Sequence, residues 1–442
     1  MPFEALSVGD LPRASRQHPK SRVAIIGGGI TGLGAAHMLG KTHDVTLFES
    51  EKSLGGHART VLAGKNGDQP VDTGFIVFNH ANYPYLTALF EQLDVPIAKS
   101  NMSFGASING GALEYALTSA DALFAQRRNL VSPSFVGMVR DIFKFNKHAV
   151  RLAGDESLTV REFLDALGTG EWFRDNYLLP FSGAIWSTPT EKIMDFPAYA
   201  MVRFFENHAL LGATGQHQWY TVKGGSIQYV SRLSDALKSL GVDVRLGASV
   251  QSVRRFAGQA AVRAWGGVEE TFDHVIFATH SDDTLELLSD PSEQEQKALG
   301  VIGYQPNDIV LHADTNMMPK RRKVWASWVY TEDKDAKSDR IDLTYWMNSL
   351  QPIPQDDPHF VTLNTKRAIR EDLIYDQVTL RHPVYDLAAL AAQKDVAAFN
   401  GAQNTWFCGA WMKNGFHEDG LSSAVDVVRA LRQSEILQMA AE

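Results

Sequence analysis

The sequence predicts an α/β protein: a Rossmann-like dinucleotide-binding domain with an inserted α+β domain. Three observations carry that expectation. A β-rich run from Arg22 to Ile26 leads directly into Gly27-Gly28-Gly29-Ile30-Thr31-Gly32 and a helical stretch to Leu39. A second such run, Asp44 to Phe48, ends on Glu49, 17 residues past Gly32. Further apolar runs at 242–253, 273–279 and 405–410 read as strands, and long aromatic-rich stretches separate them.

The first element has a mechanism behind it. At this spacing Gly27 permits a tight turn, Gly29 lets a pyrophosphate approach the backbone, and Gly32 lets the helix pack close to the strand. The helix start, Ile30 and Thr31, turns free N–H groups and a positive dipole end toward phosphates. Glu49, with Ser50 beside it, is placed to accept from ribose hydroxyls. The 18 residues from Val23 to Gly40 lack Asp, Glu, Lys and Arg, the length of a short membrane span, but six are glycine, so strand, turn and helix are expected.

Composition bounds the rest. With 442 residues, 44% hydrophobic and 21% charged, the chain has material for two or three domains, and disorder is excluded. Asp plus Glu is 51 against 42 Lys plus Arg, a net charge of −9, so no nucleic-acid partner is expected. One cysteine, Cys408, excludes a disulfide framework and a cysteine metal cluster, and no metal is expected. The first 21 residues are polar without an apolar core, and a cytoplasmic location is expected.

Leu54-Gly55-Gly56-His57-Ala58-Arg59-Thr60 resembles the glycine-doublet segment of FAD-binding amine oxidases and carotenoid desaturases. Val71-Asp72-Thr73-Gly74-Phe75-Ile76 matches the small-residue turn that passes the isoalloxazine ring there. The resemblance implies FAD rather than NAD, held non-covalently, in a fold of the glutathione-reductase/amine-oxidase type. It places Gly56, His57, Ala58 and Arg59 beside the pyrophosphate and ribityl chain, with Arg59 as charge partner, although many relatives carry arginine where this chain has His57. Thr73, Gly74, Phe75 and Ile76 then lie along the ring, Val250 meets adenine through its backbone, and Gly409 and Ala410 close the site. Asp419, Gly420 and Leu421 open the last helix, whose N-terminus faces the flavin pyrimidine, with Leu421 supplying an N–H. Cys408 reads as a packing residue rather than a covalent anchor. The cofactor domain is accordingly assembled from 22–98, 217–290 and 400–435, the substrate domain from 99–216 and 291–399, and 1–21 and 436–442 are terminal extensions.

The insert is rich in aromatics, which serve either a core or an apolar tunnel. Between Gln126 and Arg151 six basic residues face only Asp141, with Phe135, Met138, Phe143 and Phe145 interleaved at near-helical spacing. That stretch reads either as a solvated helix face or as a membrane-surface contact, which would make the protein peripheral at the inner membrane face.

Val71 to Asn79, Ile185-Trp186-Ser187, Leu343 to Asn348 and Gly415 to Leu421 together resemble the FAD-binding region that precedes the methyltransferase in plant cyclopropane fatty acid synthases, and its stand-alone bacterial relatives. From about residue 22 to 430, that resemblance implies desaturation of a modified fatty acyl chain, a phospholipid substrate, and a lipid methyltransferase partner. Trp186, Tyr345, Trp346 and Phe416 are the expected substrate-lining residues. Amine oxidases place a lysine on the strand that here reads Gln305 to Asp314, which has none, and an aromatic where this chain has Gly420. Dehydrogenation needs a base near the cofactor; His417 and Glu418 are the candidates, with His280 and His312 behind them and a helix-end acceptor role as the alternative for Glu418. An amine oxidase, a non-catalytic FAD-stabilised partner of a methyltransferase and an acyl-chain isomerase are the competing readings.

Overall fold

The computed structural model describes residues 20–155, 157–187, 190–212, 215–334 and 340–441. The extension expected at 1–21 lies, but for its last two residues, outside the described residues. Arg22–Ile26 and Asp44–Phe48 are apolar and almost wholly buried, as interior parallel strands require. They belong to a five-stranded parallel sheet in the order Asp243–Arg245, Asp44–Phe48, Arg22–Ile26, His274–Phe277, Thr405–Phe407. Numbered along the chain that order is 3-2-1-4-5, the doubly wound arrangement in which ligands bind at the carboxyl ends where the strand order reverses.

A three-stranded antiparallel sheet, Val250–Phe256, Gln259–Ala264 and Glu270–Phe272, sits between the third and fourth of these strands in sequence. The insert forms a seven-stranded sheet that runs from Ile374–Val384 through Gly303–His312 to Leu113–Ala116. Its strands pair antiparallel except Trp328–Thr331 with Phe104–Ile108. Helices Pro133–Leu152 and Ala198–Asn207 pack there through Phe145 and Phe205, whose ring centroids are 5.9 Å apart.

The last helix differs from expectation at both ends. It spans His417–Ala441, so it begins before Gly420 and runs through the segment read as a C-terminal extension. Its start is set by Asp419, whose carboxylate accepts from the Phe416 N–H at 2.9 Å, and by the Gly420 N–H donating to the Phe416 carbonyl at 3.1 Å. Leu421 therefore lies beyond the first free N–H groups. Its fully buried side chain packs on helix Ile30–Leu39, where a Cβ added at Gly34 would come within 2.4 Å of Leu421 Cδ1. Among the described residues no helix is long and apolar enough to cross a membrane; Val23 to Gly40 is strand, turn and helix.

Candidate active site

The motifs converge at the carboxyl ends of the parallel sheet. The Gly27 N–H donates to the Phe48 carbonyl, and the Gly55 N–H to the Gly28 carbonyl at 2.9 Å, so the glycine turn and the doublet face each other. Helix Ile30–Leu39 starts at Gly29 with no side-chain cap and no acid in its first turn. Its leading N–H groups are thus left for an anion.

Two glycines separate what the fold requires from what a ligand requires. A Cβ at Gly32 would lie 1.8 Å from the Gly27 carbonyl oxygen, so close packing of helix on turn demands glycine there. A Cβ at Gly29, whose φ is −75°, would meet nothing nearer than the Gly56 Cα at 4.0 Å. Neither backbone strain nor a protein neighbour demands glycine at that position; beyond the general N-cap preference for it, glycine leaves room for a phosphate over the uncapped helix end. Gly29, Gly56, His57, Phe75, His280 and His382 are all at least partly accessible in this region of buried strand ends, and so trace a groove. The residues present fit a dinucleotide.

Glu49 is buried and its carboxylate takes the Gly28 N–H at 2.6 Å, the Glu51 N–H at 2.8 Å and the Ser50 hydroxyl at 3.1 Å. Beside it, the Ala248 N–H donates to the Glu49 carbonyl and leads the chain to Val250. His57 and Ala58 follow the doublet; the His57 carbonyl accepts from the Phe75 N–H at 2.8 Å, which brings the turn Thr73, Gly74, Phe75 and Ile76 onto it. Gly409 donates its N–H to Ser423 Oγ, and Ala410 is partly accessible beyond it. Cys408 is fully buried among apolar side chains, and burial pushes its thiol well up, out of reach of thiolate chemistry at neutral pH.

Arg59 corrects an expectation. Its guanidinium forms a two-pronged pair with Asp376, at 2.6 and 3.0 Å, and also reaches Thr73 Oγ1. Its charge ties the cofactor domain to strand Ile374–Val384 instead of serving a phosphate. Sequence reasoning also passed over Asp72, whose carboxylate accepts from Thr60, the Ser226 N–H and hydroxyl, and Gln351. Burial raises its pKa to about 6 against those bonds. The acid inside a quoted motif was visible; its partners, scattered over nearly 300 residues, were not.

The two expected bases sit in defined settings. His417 stacks on Phe75 at 4.0 Å between ring centroids, and its Nε2 lies 2.7 Å from the Tyr229 hydroxyl. Burial, then the neighbouring His57, lowers its pKa to about 3. Glu418 receives the Tyr85 and Leu86 N–H groups, each at 2.9 Å, and so caps helix Pro84–Gln92. Burial nevertheless raises its pKa to about 7. His280 stacks on Tyr304, and burial, then His57, lowers it to about 3. His312 is buried away from these residues, bonded to Thr362 Oγ1.

A cavity of about 820 Å³ opens beside this end of the site, lined by Tyr199, Phe204, His208, Phe416, Glu418 and Asp419 among others. Of the four expected lining residues only Phe416 borders it. Trp186 is buried behind the wall, its ring 5.0 Å from Phe204. Tyr345 packs edge-on against Trp328 on the same core as Trp186 and bonds Ser187, while Trp346 packs against Trp325 in a separate cluster, with the Arg322 guanidinium over both tryptophans. Their spacing in sequence carried no information about which wall each would join.

Fold and groove together define a flavin dinucleotide-binding oxidoreductase, with FAD as cofactor. The sequence pattern of the flavin-containing amine oxidoreductases matches residues 30–360, and the chain belongs to that family. Similar solved structures include a CLA-producing fatty acid isomerase from P. acnes, 14% identical, covering 93% of this chain and 98% of that one with a TM-score of 0.66. A redesigned putrescine oxidase is 15% identical over 94% of this chain and all of its own, with a TM-score of 0.69. A reduced UDP-galactopyranose mutase is 14% identical over 96% of both chains, with a TM-score of 0.66. At these identities the likeness is one of fold. No curated protein matches the chain by sequence.

Proposed function

We propose that this flavoprotein dehydrogenates a modified fatty acyl chain of a membrane lipid. One observation supports the reading: the cavity that reaches Phe416 has as its wall a helix that packs on the basic, amphipathic helix Pro133–Leu152. Arg203 and Phe204 of helix Ala198–Asn207 line it, while Phe205 of the same helix packs on the inner face of Pro133–Leu152. The outer face of Pro133–Leu152 carries Val136, Arg140, Phe143, Lys147, Val150 and Arg151, basic and apolar side chains in turn with no acid. Phe143 is 64% exposed. Such a stripe suits an anionic lipid surface.

FAD supplies two-electron chemistry, accepting a hydride from a substrate carbon. The protein must then hold that carbon within about 3.5 Å and remove a proton from its neighbour. Glu418 is the proton acceptor we assign: it borders the cavity, its pKa near 7 suits a base, and two backbone N–H groups fix its position while one lone pair stays free on each oxygen. His417, engaged with Tyr229 and stacked on Phe75, orients this end of the site. A lipid methyltransferase is the partner that would supply a methylated chain.

Glu418 and Asp419 also favour one second reading, since two carboxylates at the inner end of a cavity suit an ammonium group. Anaerobic titration of the FAD-loaded protein with lipid extracts containing methylated or cyclopropanated chains separates the two. Bleaching of the flavin band with a product two hydrogens lighter is the expected result. Bleaching only by polyamines, with peroxide release in air, would replace it with amine oxidation, and a product of unchanged mass would mean isomerisation.

A further inference from the structure

His382 lies in strand Ile374–Val384, opposite Gln305 of strand Gly303–His312. Its Nδ1 is 2.8 Å from the Asn307 side-chain amide. The direction of that bond follows from a chain of partners that ends on the backbone. The Asp308 N–H can only donate, and it meets Asn364 Oδ1 at 2.9 Å. The other amide atom of Asn364 is therefore its NH₂ group, which donates to Asn307 Oδ1 at 2.7 Å and to the Ile341 carbonyl at 3.2 Å. Asn307 is left with its own NH₂ group facing His382 and the Gln305 carbonyl. His382 Nδ1 must accept, so the ring proton of the neutral imidazole resides on Nε2. Asn364 holds its place with φ at +54°, a left-handed backbone that asparagine adopts more readily than most non-glycine residues.

Asn364 also continues the ladder between Gly303–His312 and Phe360–Leu363, its own N–H donating to the Asp308 carbonyl at 2.8 Å, but the last bond of the relay, Asn307 to His382, serves no strand pairing and points to the groove. His382 is partly accessible, its ring stacks on His57 at 5.3 Å between centroids, and its Nε2 has no hydrogen-bond partner among the described residues. His57 in turn belongs to the doublet turn that faces Gly29. Burial, then His57 and His280, lowers the His382 pKa to about 3, so the ring stays neutral with one donor. The nearby Arg381 is held by Asp282 and Asp283 and leaves that role to the histidine.

We propose that His382 is a fixed Nε2–H donor to an acceptor atom of the bound flavin dinucleotide, with Asn307 and Asn364 as the positioning residues that set its tautomer. The inference rests on the cofactor alone, so it stands or falls separately from the acyl substrate.

The test uses FAD-loaded protein with nitrogen-15 in its histidine rings. Wild type should show a bare Nδ1 and a protonated Nε2 at His382 at neutral pH. In Asn307→Asp the carboxylate can only accept, which moves the proton to Nδ1 and removes the donor. FAD binding should weaken about tenfold in Asn307→Asp and in His382→Leu, with a shifted visible spectrum. His382→Gln, whose amide reaches the Nε2 position, should restore both. A protonated Nδ1 in wild type would overturn the proposal, as would unchanged FAD affinity in His382→Leu. Should that variant fail to fold, Asn307→Asp with an inverted tautomer and unchanged FAD affinity would overturn it equally.

Discussion

Gly29 and Gly32 stand three residues apart and answer to different constraints. Gly32 is fixed by contact with the Gly27 carbonyl; Gly29, beyond the N-cap preference, leaves room for what lies over the helix end. Gly32→Ala should destabilise the protein by roughly 1–3 kcal/mol through overpacking. Gly29→Ala should cost the apoprotein no more than about 1 kcal/mol, the N-cap difference between the two residues, and still weaken FAD binding. Thermal melts of apoprotein and FAD titrations check the pair, and a large apoprotein loss in Gly29→Ala would remove the phosphate assignment. Glu418→Gln tests the base: Gln puts an NH₂ group against a backbone N–H it cannot satisfy, so about 1–3 kcal/mol of stability is lost. Flavin reduction by the acyl substrate should fall far more than FAD content does, and equal losses would make Glu418 structural only. The glycine pattern was legible in sequence because its spacing encodes a turn. Arg59 was misread because its partner, Asp376, is 317 residues away.

At the scale of elements, helix Pro133–Leu152 shows how far periodicity reaches. Its amphipathic, basic character was plain in the sequence. Which residues turn inward was decided by packing: Phe135, Met138 and Phe145 join the core, while Phe143 faces out. Asp141, the one acid of the stretch, is buried, accepts the Gly170 N–H at 2.8 Å and lies 3.6 Å from the Arg140 guanidinium. Lys147→Glu with Arg151→Glu should abolish flotation with anionic vesicles at low salt and leave the melting temperature nearly unchanged, since both side chains are exposed. Wild-type protein that fails to float would end the membrane-surface reading.

For the whole molecule, the last helix is the closing piece, and one buried cluster fastens its far end to the sheet. Glu435 lies 3.1 Å from His43 Nε2 and 3.5 Å from His274 Nε2. Burial alone would raise its pKa, but hydrogen bonds from His274 and His43 outweigh that and hold it at about 2. A folded pKa below the unfolded one means stability that is present above the unfolded value near 4.5 and is lost as pH falls toward 2. Denaturant midpoints measured from pH 6 to 2.5 should fall more steeply for wild type than for Glu435→Gln, and parallel curves would deny the cluster this role.

The sequence by itself determined the dinucleotide turn, the parallel strands, the cofactor class and the basic character of one helix. Each of these is a local pattern, set by residue types at short spacing, and short-range sterics and periodicity act without knowledge of the rest of the chain. Only the tertiary structure decided that Arg59 belongs to Asp376, that Asp72 joins four segments, that Phe416 alone of its group reaches the cavity, and that Asn364 and Asn307 dictate the proton on His382. Those outcomes depend on hydrogen-bond direction and burial between segments up to about 300 residues apart, which closure of the sheets brings together and no local pattern encodes.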